Sequence, residues 1–204
     1  MIKIVDYGLG NISAFTNMYK RLNIPAVAVK TAAELEGATK IVLPGVGAFD
    51  HAMELLHASG MRPTLERLVG EQQIPVLGIC VGMQILVESS DEGKLPGLGW
   101  MPGRLRAFRT IPQAAALPTP HMGWNDVVPA PGCPLFRGME EQARFYFLHS
   151  YFFEARQQDN VVATANYGLD FGCAVQAGNV YGVQFHPEKS HHWGAMLLRN
   201  FAEL

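Results

Sequence analysis

The hydrophobic pattern of the chain changes character near its middle. In the first half, short apolar runs alternate with stretches whose apolar residues recur every three to four positions. Ile2–Val5 reads as a buried strand that enters the glycine-rich turn Asp6-Tyr7-Gly8-Leu9-Gly10. Between Asn11 and Leu22, the residues Ile12, Phe15, Met18, Tyr19 and Leu22 fall at helical spacing. Ala26–Val29 follows Pro25 as the next strand, and Lys40–Leu43 leads into the turn Pro44-Gly45-Val46-Gly47. Helices are predicted over Phe49–Ala58 and Pro63–Val69, and the strand Ile74–Ile79 runs through Cys80 into a helix ending near Glu88. Strands and helices alternating at this spacing predict an α/β fold with a mostly parallel central sheet and flanking helices.

The second half reads differently. Gly99–Arg109, Asn125–Val128, Arg144–Phe153, Val161–Asn166, Cys173–Gln176 and Val180–Phe185 look like shorter strands punctuated by Gly and Pro. They predict a β-rich extension of the same sheet, closed by a helix over Trp193–Ala202. Thr110–Pro120, with three prolines and an alanine trio, reads as a surface loop without assigned function. No repeat or charged linker interrupts the 204 residues, so one domain is expected.

Charge and cysteine usage narrow the function classes. The formal net charge is -2 and Lys and Arg never gather into a run, which argues against a nucleic-acid or membrane-surface protein. Small neutral or acidic substrates, or a protein partner, stay open. No stretch approaches the roughly 18 apolar residues of a membrane span, and the start lacks a basic segment before an apolar core. The three cysteines, Cys80, Cys133 and Cys173, include no Cys-x-x-Cys pair, against both a disulfide framework and a structural zinc site. A reducing cytosol is the expected setting.

The strongest local signal is Gly78-Ile79-Cys80-Val81-Gly82-Met83-Gln84. An apolar strand runs into a cysteine flanked by glycines two residues to either side, then into a helix. This is the cysteine version of a nucleophile elbow. A sharp strand-to-helix turn strains the central residue and leaves no room for side chains at the flanking positions. The thiol is then lifted clear of the sheet at a helix N-terminus, where free N–H groups favour thiolate. The N–H of Val81 can help hold an oxyanion. Cys133 and Cys173, without such flanks, read as structural cysteines.

A thiol nucleophile needs an imidazole to take its proton, and the imidazole needs an acceptor to fix its tautomer. Gly182-Val183-Gln184-Phe185-His186-Pro187-Glu188 offers both, because extended backbone places His186 and Glu188 on one side. His51, His57, His191 and His192 read as helix or surface residues. Adjacent residues such as His191 and His192 diverge on a helix, so metal binding is set aside.

Together these segments resemble the class I (triad) glutamine amidotransferases over essentially the whole chain. Asp6–Asn11, Pro44–Phe49, Pro120–Asn125 and His149–Tyr151 further resemble the branch that serves imidazole glycerol phosphate synthase in histidine biosynthesis. The resemblance implies a flavodoxin-like three-layer fold and no cofactor. It implies Cys80, His186 and Glu188 as the triad, with Gly45-Val46-Gly47 as an oxyanion strand. Val46, Gly47 and Val81 would supply the hole, and Gly45, Gln84, Glu92, His149, Ser150 and Tyr151 would cradle L-glutamine. It also implies a heterodimer with a (β/α)₈-barrel cyclase subunit, touched by Asn11, Trp124, Tyr146 and Lys189. Read without the resemblance, those four are a helix N-cap, a core aromatic, a strand aromatic and a solvated charge. A glutaminase for another synthase, such as anthranilate synthase, would keep the triad without Gly123-Trp124-Asn125. A stand-alone cysteine hydrolase would need no partner, and a binding module would lack a triad member.

Overall fold

The computed structural model describes residues 1–139 and 143–204. In chain order the elements are β1 (Ile2–Val5), α1 (Ile12–Arg21), β2 (Ala26–Val29), α2 (Ala32–Leu35), β3 (Lys40–Gly45) and α3 (Phe49–Ala58). Next come α4 (Arg62–Glu66), which widens into a π-type turn over Arg67–Glu71, β4 (Val76–Cys80), α5 (Val81–Gln84) and β5 (Ser89–Ser90). The rest is β6 (Gly103–Ala107), β7 (His121–Asp126), β8 (Val128–Pro129), β9 (Arg144–His149), β10 (Tyr151–Ala155), β11 (Val161–Asn166), β12 (Asp170–Ala177), β13 (Val180–Val183) and α6 (His191–Glu203).

The main sheet runs β2-β1-β3-β4-β13-β12-β10-β6-β5, with β11 pairing β12 and β8. From β2 to β13 the neighbours are parallel, and from β13 to β6 they are antiparallel. The parallel strands are apolar along nearly their whole length because helices cover both faces; every residue of β4 is buried. The carboxyl ends of β3, β4 and β13 lie side by side, with Gly45 opposite Cys80 and Val183 opposite Ile79. Open α/β sheets bind ligands at such an edge.

Three predicted elements came out differently. The helix expected to run to Glu88 is one turn long. The carbonyls of Ile85, Leu86, Val87 and Glu88 instead accept from Leu98, Met101, Gly99 and Gly97, so a crossing segment takes the groups a longer helix would use. The single strand expected over Arg144–Phe153 breaks at Ser150. β9 leaves the main sheet to pair with β7 in a two-stranded ribbon, while β10 joins the main sheet. The strand expected at Asn125–Val128 begins four residues earlier, at His121. Its inward positions are His121, Gly123 and Asn125, so no apolar alternation announces it. The ribbon therefore lies outside the sheet on which the whole extension was expected. Thr110–Pro120 is not purely surface: Ala114 is buried, and the Tyr167 hydroxyl donates to the Pro118 carbonyl. Among the described residues no helix is long and apolar enough to cross a membrane.

Candidate active site

Cys80 ends β4 in a conformation with φ 54° and ψ -114°, a region costly for a residue with a side chain. The flanking glycines are sterically required. A Cβ on Gly78 would lie 2.6 Å from the Gly82 carbonyl oxygen, and one on Gly82 would lie 1.8 Å from that of Leu43. Gly45 is equally confined, since its Cβ would meet the Gly82 nitrogen at 2.5 Å and the Tyr7 hydroxyl at 2.9 Å. Three glycines thus let β3, β4 and α5 close around one thiol. Burial, followed by the influence of Cys80, pushes the Tyr7 hydroxyl well above its ordinary value.

β13 leads to the candidate base, His186. His186 Nδ1 lies 2.8 Å from Glu188 Oε1, and both side chains are almost completely buried. The carboxylate can only accept, so Nδ1 carries the proton and Nε2 is left for other work. Nε2 has no hydrogen-bond partner among the described residues. Burial alone would lower the imidazole's pKa, but the Glu188 hydrogen bond and the neighbouring Cys80 and Glu188 charges outweigh it and raise it to about 10. The base segment is stitched to the ribbon: His186 N–H donates to the Tyr146 carbonyl at 2.9 Å, and the Ser190 hydroxyl joins Tyr146 N–H to the His186 carbonyl.

Cys80 and His186 line one cavity together with Val46, Gly47, Val81, Gln84, Glu92, His149, Ser150, Tyr151 and Lys189. The expected site residues therefore meet in space, with Gly45 just behind them in register with Cys80. Trp124, Tyr146 and Lys189 gather beside the cavity. Lys189 Nζ stands 5.5 Å over the Tyr146 ring, and Trp124 stacks on His191 at 5.4 Å. Asn11 serves as the N-cap of α1, accepting from Ala14 N–H.

Two arrangements at this site go beyond the roles read from the sequence. Gln184 is fully buried; its Oε1 accepts from Gln84 Nε2 at 3.0 Å and its Nε2 stands 3.9 Å from Cys80 Sγ. Its place two residues before His186, on the same side of the strand, was the available signal. The second set is a buried chain. His149 Nδ1 must donate to the Tyr151 carbonyl at 2.8 Å, which makes Nε2 the acceptor for His121 Nδ1 at 2.9 Å. His121 Nε2 then accepts from Asn125 Nδ2 at 3.2 Å. Burial holds both imidazoles neutral, lowering His121 to about 4 and His149 to about 3. The chain fixes the bend at Ser150 where it lines the cavity.

The family model for class I glutamine amidotransferases matches residues 3–204. The chain belongs to that family. Proteins named imidazole glycerol phosphate synthase subunit HisH resemble this amidotransferase over their full length. The one from Bdellovibrio bacteriovorus is 66% identical and that from Leptospira borgpetersenii 51%, each with 100% of both chains covered. A HisH 2 protein from Methanococcus maripaludis is 40% identical over 98% of each chain. Among solved structures, a glutamine amidotransferase superimposes with a TM-score of 0.78 at 20% identity, covering 99% of this chain and 97% of its own. A glutamine amidotransferase from Thermotoga maritima gives 0.63 at 18% identity, covering 99% of this chain and 80% of its own. At that identity these two structures speak for the fold of the amidotransferase, which they share.

Proposed function

We propose that the protein is the glutaminase subunit of an imidazole glycerol phosphate synthase, acting in the cytoplasm as one domain of a heterodimer. The observation that carries the chemistry is the strained Cys80 turn facing a buried His186–Glu188 pair across one cavity. The branch is supported by the full-length likeness to HisH proteins.

Cys80 thiolate attacks the side-chain amide carbon of glutamine. Val81 N–H, at the first position of α5, and an N–H of the Val46–Gly47 region hold the oxyanion. His186, protonated by the thiol and oriented by Glu188, gives its proton to departing ammonia. Water then cleaves the glutamyl thioester with His186 as base, releasing glutamate. The Ser150 bend and Gln84 position the glutamine backbone, and Glu92 meets its amino group. Gly47, at φ 92° with open space around it, leaves the oxyanion strand free to rotate. Its N–H is completed for catalysis when the (β/α)₈-barrel cyclase docks.

The docking face is Asn11, Trp124, Tyr146 and Lys189, bordered by the exposed apolar side chains of Met122 and Leu148. Ammonia passes to the cyclase, which forms imidazole glycerol phosphate and an aminoimidazole carboxamide ribotide. The test is glutamine-dependent synthesis by the purified chain mixed with a histidine-pathway cyclase. Co-purification and activation are expected; a chain that neither binds nor responds to that cyclase contradicts the assignment.

A further inference from the structure

One polar clasp near the cavity, built around Asp50, holds the loop that carries Glu92. α3 begins directly after the oxyanion strand, and its N-cap Ala48 offers no side-chain acceptor. The acceptor comes instead from far along the chain: Phe49 N–H donates to Glu92 Oε2 at 2.9 Å. The next residue of α3 returns the contact. Asp50 accepts from Lys94 N–H at 3.0 and 2.9 Å, one bond to each carboxylate oxygen, and from Leu95 N–H at 3.0 Å through Oδ1. A Cβ on Gly93, between these partners, would lie 2.0 Å from Asp50 Oδ1 and would push the carboxylate aside. The Ser90 hydroxyl accepts from Glu92 N–H at 3.0 Å and fixes the other side of the same loop.

Glu92 thus stands between two structures. Its Oε2 belongs to the start of α3, and therefore to the end of the oxyanion strand. Among the described residues no hydrogen bond takes up Oε1, and the side chain lines the cavity beside Cys80. Charge-assisted bonds to backbone N–H groups are among the stronger ones a fold can make. Asp50 makes three and holds the loop at the distance that lets Glu92 do both tasks.

We infer that Asp50 is a positioning residue for substrate recognition: it grips the 93–95 segment so that Glu92 ties the oxyanion strand with one oxygen and meets the α-ammonium group of glutamine with the other. The inference rests on the glutaminase reading, which makes glutamine the occupant of the cavity.

The test compares two reagents for Cys80 on the full chain. One is a diazoketone analogue of glutamine that keeps the α-ammonium and α-carboxylate groups; the other is iodoacetamide, which has neither. Asp50→Ala is expected to slow labelling by the analogue about tenfold, a loss on the scale of one hydrogen bond, and to leave iodoacetamide labelling nearly unchanged. Asp50→Asn keeps the oxygen that serves both Lys94 and Leu95, so it loses less. Gly93→Ala, which displaces Asp50 without removing its charge, reproduces the Asp50→Ala loss. In a Glu92→Gln background, Asp50→Ala adds nothing further. Equal slowing of both reagents, or a fully additive double variant, overturns the inference. A wild-type chain that shows no preference for the analogue gives a different result, because it overturns the glutaminase reading and the inference with it.

Discussion

The turn around Cys80 and the β7–β9 ribbon both border the same cavity, but they are built by opposite means. The turn is rigid because it has no spare space: Gly45, Gly78 and Gly82 each face backbone atoms closer than a Cβ can approach. The ribbon is held by polar contacts instead. The Asn125–His121–His149 chain fixes its inner face, and the Ser190 hydroxyl and Tyr146 carbonyl tie it to His186, while Met122 and Trp124 stay exposed. Steric confinement places the nucleophile without depending on charge. Hydrogen bonding ties His186 and the Ser150 bend to an element whose outer face can meet another protein.

That contrast predicts a ranking of effects. Cys80→Ala should abolish glutamine hydrolysis, at least about a 10⁴-fold loss in ammonia release, because no other group can form the thioester. Glu188→Gln should cost about 10³-fold in kcat with a fold close to wild type, since His186 loses the acceptor that fixes its tautomer. On the stability axis, Gly82→Ala should lower the urea midpoint by the equivalent of about 4 kcal/mol or prevent folding. Gly123→Ala in the ribbon meets no atom within 4 Å and carries only the strain of φ 125°; its cost should stay near 1–2 kcal/mol. Equal costs would erase the distinction between the two regions.

The ribbon's own signature is a change in substrate affinity. His121→Phe leaves His149 Nε2 without its donor, while Asn125 Nδ2 keeps only the Asn166 carbonyl, so the Ser150 bend loosens. KM for glutamine should rise about tenfold while kcat changes less than threefold. The smallest effect is a pH dependence. The pKa of His186 is raised from 6.5 to about 10 in the folded protein. Its contribution to stability is therefore complete below pH 6.5 and is lost as pH rises towards 10. The difference in Tm between wild type and Glu188→Gln should be widest near the lower limit and shrink on the alkaline side, as read by thermal melts across that window.

The same contrast explains what the sequence could reveal. In the parallel half, strands buried on both faces leave continuous apolar runs, and β1 to β4 stand within two residues of their predicted positions. The candidate residues Cys80, His186 and Glu188 stand out in the sequence because a glycine-flanked cysteine and a His-Pro-Glu segment each have a mechanical reason for their spacing. β7 was misplaced because its inward side chains are His, Gly and Asn, which look like loop residues until they find partners. The break at Ser150 left one trace, the adjacent Phe152 and Phe153, both buried, which interrupt the alternation of β9. The clasp between Asp50 and the 93–95 segment left none, since it joins a side chain to backbone groups more than forty positions away.

On the proposed reading, Cys80 releases ammonia from glutamine under the control of a protein seated on the ribbon. Ammonia release from glutamine, measured for wild type and Cys80→Ala with and without the cyclase carrying its ribotide ligand, tests it most directly. Slow release by the isolated chain is expected, with a rise of at least about 100-fold on adding the liganded partner (about 3 kcal/mol of barrier) and none from Cys80→Ala under either condition. Rapid release by the isolated chain that the partner leaves unchanged, or release that survives loss of Cys80, would contradict it.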